Sequence, residues 1–216
     1  MDDATTEQRE LVAGEIRVLD DEPDVLAYLL RVSRDLATSV RGFEDPDEFL
    51  TAPADGQPIC LVVDWQLRGR DGLEVIARCQ RQWPDAPVIL ISGHATVPVA
   101  VTAMRQGVCS VLEKPVRPAD LVREIKAALS QSRSRSQACE QQRSARRLVE
   151  SLNHPELTVL KLLAGGTPNK NIASQLKVAM RTVEKYRRSL FDKLGVDSAA
   201  EATQLWVLAN LDGSAR

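Results

Sequence analysis

The sequence predicts an α/β doubly wound five-stranded parallel sheet followed by a small all-α four-helix domain. Three observations carry that reading. Short apolar runs alternate with helix-period segments five times before residue 130, as β-α units in series do. From Leu148 onward the pattern is helical only. The charge divides in the same place: residues 1–130 hold 14 Lys/Arg against 22 Asp/Glu, and residues 131–216 hold 14 against 8, inside a chain whose net charge is only −2. An acidic front half joined to a basic back half points to two modules, the second with an anionic partner such as nucleic acid.

The elements follow in order. Candidate strands are Glu15–Leu19, Thr38–Phe43, Pro58–Val63, Pro87–Ser92 and Cys109–Glu113, each an apolar run of strand length bounded by turn residues. Helical periods fill Pro23–Leu36, Pro46–Ala52, Leu73–Trp83, Val97–Gln106 and Pro118–Leu129. Asp71, with Glu74 three residues on, reads as a capping box. Residues 131–147 are rich in Gln, Arg, Glu and Ala without Pro or Gly, which predicts a helical linker. In the back half, Pro155–Ala164 is a helix ended by Gly165-Gly166. A second opens with Thr167 as N-cap and Pro168 at the first helical position. After a turn at Lys177–Ala179 come Met180–Leu194, closed by Gly195, and Ser198–Leu211. The expected organisation is therefore an extension over 1–13, a first domain over 14–130, the linker over 131–147 and a second domain over 148–216.

Several classes are excluded. The acidic N-terminus MDDATTEQRELVAGE has no apolar core, so a signal peptide is not expected. No apolar run approaches the roughly 20 residues of a membrane span. Cys60, Cys79, Cys109 and Cys139 are scattered, and with only two histidines beside them a zinc site is not expected. A cytoplasmic protein with reduced thiols and no membrane partner is the expectation.

The strand ends supply the chemistry. The first ends in Leu19-Asp20-Asp21-Glu22, the third at Asp64, the fourth at Ser92 and the fifth at Glu113-Lys114-Pro115. In a doubly wound sheet these ends meet at one edge, where ligands bind. Clustered carboxylates repel unless a cation joins them, and Mg²⁺ is held by one or two carboxylates together with waters and phosphate oxygens. Phosphoryl transfer onto a carboxylate fits that set. Asp64 is the candidate acceptor, Asp20, Asp21 and Asp64 the candidate Mg²⁺ ligands, and Lys114 and Ser92 the groups that touch the phosphoryl oxygens.

Over about residues 14–130 the chain resembles the receiver domain of bacterial response regulators. LDDE matches the acidic pair, LVVDWQLRGRDGLEV the phospho-acceptor segment, LISGHATVPVAVTAMRQG the hydroxyl loop with its helix, and LEKPV the lysine. The wording is most similar to the FixJ subgroup. The resemblance implies a flavodoxin-like fold and phosphorylation of Asp64 by a partner histidine kinase. It also implies that the backbone carbonyl of Gln66 completes the Mg²⁺ site and that Lys114-Pro115 is cis. Gln66 and His94 fall where such proteins tune the lifetime of the phosphate. Two positions depart from the pattern: Arg68 replaces a proline, and Val111 replaces an aromatic.

On a helix over Met180–Leu194, Val183, Tyr186, Leu190 and Leu194 share one side, and Arg181, Glu184, Lys185, Arg188 and Asp192 the other. A basic exposed face of that kind can enter a major groove. GTPNKNIA, RTVEKYRR and KLGV resemble the LuxR-type helix-turn-helix, and that pairing is the NarL/FixJ class of transcription regulators. By resemblance, Glu184, Lys185 and Arg188 face base edges, while Lys170, Thr182, Arg187 and Lys193 contact phosphates or helix ends. Ala179 stands where the N-cap serine is usual, Tyr186 where histidine is usual, and Asn171 where glutamate is usual.

The function expected is a response regulator transcription factor of a two-component system, no enzyme, whose phosphorylation controls homodimerisation and promoter DNA binding. The face of the fourth helix, fifth strand and fifth helix carries the signal in that reading. A Mg²⁺ phosphatase is disfavoured because Gln66, not an acid, stands two residues after Asp64. The alternative is a constitutive or atypically regulated DNA-binding protein that uses its front half as a dimerisation scaffold.

Overall fold

The computed structural model describes residues 11–53, 58–68, 70–93 and 96–211. In chain order the front half runs β1 (Val12–Leu19), α1 (Pro23–Ser33), β2 (Ala37–Phe43), α2 (Pro46–Thr51), β3 (Pro58–Asp64), β4 (Gln66–Leu67), β5 (Arg70–Asp71), α3 (Gly72–Gln82), β6 (Val88–Ser92), α4 (Val97–Arg105) and β7 (Ser110–Glu113). The main sheet is five-stranded, in the order β2-β1-β3-β6-β7, and every pairing in it is parallel. That is the doubly wound sheet expected from the alternation of runs.

Strand periodicity divides the core in two. Leu19, Leu61, Val63, Val88 and Leu90 pack with Phe49 of α2, Val75 and Ile76 of α3 and Ala103 of α4. Their neighbours Ile16, Val18, Val62, Ile89 and Ile91 pack on the other face with Leu26 and Leu29 of α1 and with Leu121 and Ile125. A sheet buried on both faces needs apolar residues at successive positions, which is why these strands read as unbroken runs.

One residue breaks the run. Arg17, in the middle of β1, is fully buried. Its guanidinium lies 5.0 Å from the centroid of the Trp83 ring and 5.6 Å from that of Phe43. It donates to Phe49 O at 2.9 Å and Ala52 O at 3.0 Å, closing the end of α2, and it is ion-paired with Glu15. A buried cation is tolerated only when paired and hydrogen-bonded in this way.

The short antiparallel ladder of β4 and β5 pairs Gln66 with Asp71 and Leu67 with Arg70. No alternation foretold it, because two-residue strands carry no period. The capping box expected at Asp71 rests on a side chain outside the described residues, and so does His94.

A single helix, α5 (Pro118–Glu150), contains the stretch 131–147. The chain divides into two compact units within this helix, between Ser136 and Gln137. The second unit continues with α6 (His154–Ala164), α7 (Asn169–Leu176), α8 (Met180–Leu194) and α9 (Ala199–Ala209). Val159, Leu160, Ile172, Val183, Leu190 and Ala202 form its centre, all fully buried.

Two helix starts differ from expectation. Pro168 itself is the N-cap of α7, with no side-chain cap bond. Thr167 is used earlier: its N–H donates to Leu162 O at 2.9 Å and closes α6 beyond Gly166, whose φ of 73° permits that turn. The start of α6 is a capping box that the sequence reading missed. Asn153 accepts from the Glu156 N–H at 3.0 Å, and Glu156 accepts from the Asn153 N–H at 2.9 Å.

Candidate functional site

The register of the sheet assembles the acidic pocket. Leu19 pairs with Val63, so Asp20 and Asp64 emerge side by side, and Asp64 in turn pairs with Ile91. Ser92 pairs with Glu113, and the Lys114 N–H donates to Ser92 O at 2.9 Å. Asp20, Asp64 and Ser92 are buried. The sheet thus brings together Asp20, Asp21, Asp64, Ser92 and Lys114. The Lys114-Pro115 bond is cis.

Lys114 is the hub. Its Nζ lies 2.9 Å from Asp20 Oδ2 and 3.2 Å from both Asp64 Oδ2 and Glu22 Oε1. The Glu22 N–H donates to Asp20 Oδ1 at 3.0 Å. Asp64 Oδ1 is buried with no hydrogen-bond partner among the described residues. One carboxylate oxygen from each of Asp20, Asp21 and Asp64 lies within 4.8 Å of the others.

The electrostatics record the crowding. Burial first, and then the charge of Asp20, push the Asp64 carboxyl up to about 6 against the pull of Lys114. Burial also raises Asp20. For Lys114, burial disfavours the charged form, yet Asp20, Asp64 and Glu22 outweigh it and push the ammonium up to about 12. One lysine does not neutralise this pocket. A divalent cation bound by oxygen donors fits the orphaned Asp64 Oδ1 and the three converging carboxylates.

The acceptor loop is held from behind. The backbone N–H of Gln66 favours the charged form of Asp64, while the Gln66 side chain is exposed. A Cβ on Gly72 would sit 2.6 Å from Trp65 O, so the chain crosses there because the residue is glycine. Arg70 pairs with Asp47, which also takes Arg78 at 3.3 Å. Arg68 is in the pocket itself, its Nε 2.9 Å from Asp21 Oδ2. Val111 is half-buried, against the apolar cluster under β6.

In the second unit, α7 ends at Lys177 in the left-handed conformation, φ 55°. The chain then turns through Ala179, the N-cap of α8, which makes no side-chain cap bond. On α8, Arg181, Glu184, Lys185, Arg188 and Asp192 are exposed and Thr182 is half-buried; Lys170 on α7 is exposed. Two predicted contact residues have other engagements. Arg187 stacks on Phe191 at 5.5 Å, with its Nε buried and unpaired among the described residues. Lys193 stands 2.7 Å from Glu156 Oε2. Glu156 was missed by the sequence reading; the Asn-x-x-Glu spacing at 153–156 was the signal available for it.

Comparison with known proteins agrees with both units. Residues 16–126 match the response regulator receiver domain family, and residues 150–206 match the luxR family of bacterial regulatory proteins. The transcriptional regulatory protein FixJ of Bradyrhizobium diazoefficiens is 34% identical over 203 residues, covering 92% of this chain and 97% of that protein. Among solved structures, the response regulator StyR superposes with a TM-score of 0.77 at 30% identity, over 89% of this chain and 97% of that one. Full-length FixJ from B. japonicum superposes with a TM-score of 0.55 at 30% identity, over 93% and 98%. Among the described residues no helix is long and apolar enough to cross a membrane. Matched across both units, the chain belongs to the NarL/FixJ class of response regulators, transcription regulators that join a receiver domain to a luxR-family DNA-binding domain.

Proposed function

We propose that Asp64 is the phosphoryl acceptor of a partner histidine kinase in the cytoplasm, and that its phosphorylation favours a homodimer that binds promoter DNA. The observation that carries this reading is the orphaned oxygen of Asp64: a buried carboxylate atom with no partner among the described residues, beside a lysine already pointed at the same group. In the transfer, an Asp64 oxygen bonds to phosphorus, the P–N bond of the phosphohistidine breaks, and its electron pair stays on the imidazole. Lys114 and Ser92 border the space where the phosphoryl oxygens arrive. Asp20, Asp21, Asp64 and the Gln66 carbonyl would hold Mg²⁺, which when bound neutralises charge on those oxygens.

Support for dimerisation comes from α4. Val97, Val101 and Met104 are 77%, 45% and 48% exposed, and at spacings of four and three residues they share one face. Two α8 helices in a dimer would meet half-sites about one helical turn apart, with Glu184, Lys185 and Arg188 toward the bases and Lys170, Thr182, Arg187 and Lys193 toward phosphates.

The test is incubation of the full chain with a small phosphodonor and Mg²⁺. A mass gain of one phosphoryl group is expected, absent in Asp64→Asn. No gain in the parent chain would refute the acceptor role. Val111 favours a second reading, DNA binding without phosphate control, because β7 lacks an aromatic to move with the hydroxyl. Equal promoter affinity of the phosphorylated and unphosphorylated chain would establish that reading instead.

A further inference from the structure

Arg68 has no place in the function so far, yet it touches the pocket. It lies between the two strands of the β4–β5 ladder, and its Nε is 2.9 Å from Asp21 Oδ2. The Arg68 side chain is 81% exposed and that of Asp21 only 13%. Asp21 is one of the three carboxylates whose oxygens converge within 4.8 Å. Lys114 serves Asp20, Asp64 and Glu22; Arg68 serves the acid that Lys114 leaves. Together the two cations set a positive charge beside each acid of the pocket, yet two cations against four carboxylates leave it net negative.

A guanidinium is a permanent cation with no acceptor to offer. It can neutralise a carboxylate but cannot complete a metal site, and a divalent ion on Asp21 is repelled by it over a few ångströms. The exposed head of Arg68 can leave for solvent at the cost of a surface ion pair, which is small. The ladder on either side of it is tied down, Leu67 pairing with Arg70 and Arg70 with Asp47.

We propose that Arg68 is a built-in competitor for the divalent cation at Asp21. It occupies the acid in the metal-free protein and lowers the pocket's affinity for Mg²⁺, so that acceptor competence follows the free Mg²⁺ concentration over a higher range than in a receiver with an uncharged residue there. This rests on the reading of the pocket as a Mg²⁺ site.

The experiment is Mg²⁺ titration of the full, unphosphorylated chain, by calorimetry and by its intrinsic tryptophan fluorescence, of which Trp65 is the contributor next to the acceptor. Arg68→Gln removes the charge and keeps much of the side chain; Arg68→Lys keeps the charge. Arg68→Gln is expected to bind Mg²⁺ roughly twofold to fivefold more tightly than the parent, the range that an exposed ion pair supplies. Arg68→Lys is expected to stay near the parent value, and the difference is expected to shrink as salt screens the pair. In an Asp21→Asn background, Arg68→Gln should give no further gain. Equal or weaker binding by Arg68→Gln in the Asp21 chain overturns the inference while leaving the Mg²⁺ site standing. Absence of saturable binding in both proteins overturns the site and the inference together.

Discussion

Lys193 Nζ stands 2.7 Å from Glu156 Oε2, the same oxygen that accepts the Asn153 N–H and so caps α6. The other oxygen of Glu156 accepts from Ser189 Oγ at 2.8 Å. One buried carboxylate therefore starts α6 and fastens α8 to it. Lys193 thus ties α8 to the start of α6.

Glu156→Ala should destabilise the helical unit by about 1–3 kcal/mol, the usual cost of leaving buried partners unpaired. Burial alone would raise the Glu156 carboxyl, but the Lys193 ammonium, the Asn153 N–H and the Ser189 hydroxyl together hold it below its ordinary value of 4.5. A carboxyl lowered on folding stabilises above its unfolded value, and that contribution is lost as the pH falls through the folded one. Thermal melts of the parent should therefore lose stability below about pH 4.5. The Glu156→Gln protein should lose less over the same window.

Lys185→Ala and Arg188→Ala should leave melting unchanged, since both side chains are exposed. Each should weaken binding to the specific promoter by ~1–3 kcal/mol if it reads a base. Equal losses on random DNA would mark a phosphate contact instead. Lys193→Ala should lower both melting temperature and DNA affinity, which separates a positioning residue from one that only touches DNA.

Asp64→Asn should stabilise the metal-free protein at neutral pH. The Asp64 carboxyl is raised from 3.8 to about 6 in the fold, so ionising it costs stability as the pH rises through that interval. The gain from the amide should be on the order of 1–3 kcal/mol above pH 6. It should fade toward pH 3.8, where the acid is protonated in both states. Melts in chelator across that range measure it.

Ala179→Ser should add the missing cap of α8. The residue already has extended geometry, φ −66° and ψ 150°, so a hydroxyl there can accept from the first turn. The expected gain is about 1 kcal/mol, read as a rise of roughly 4–8 °C in the melting of the helical unit.

The acidic pocket was legible because acids at the ends of apolar runs have a single meeting place in a parallel sheet. The apolar side of α8 was legible for a similar reason: Val183, Leu190 and Leu194 recur at helical spacing, and all three are buried. What escaped were pairings set by irregular backbone. The partner of Arg68 depends on a two-residue ladder that no periodicity announces, and the fate of Thr167 on how α6 unwinds past Gly166. Arg17 sat unremarked within a strand because its role needs Phe43, Trp83 and the end of α2 in place around it. Asn153 and Glu156 were readable as a cap, but their link to Ser189 and Lys193 joins segments more than 30 residues apart.

Gly72 sets a limit of another kind. With Trp65 O 2.6 Å from where any Cβ would lie, each single-residue replacement there shifts the peptide next to Asp64. Arg68, Lys185 and Arg188 are exposed, so their side chains can change one mutation at a time without displacing the backbone. Position 72 has no such neutral neighbours. Lineages descending from this protein can explore new signals and new targets, but they do so around a glycine that divergence has to leave alone.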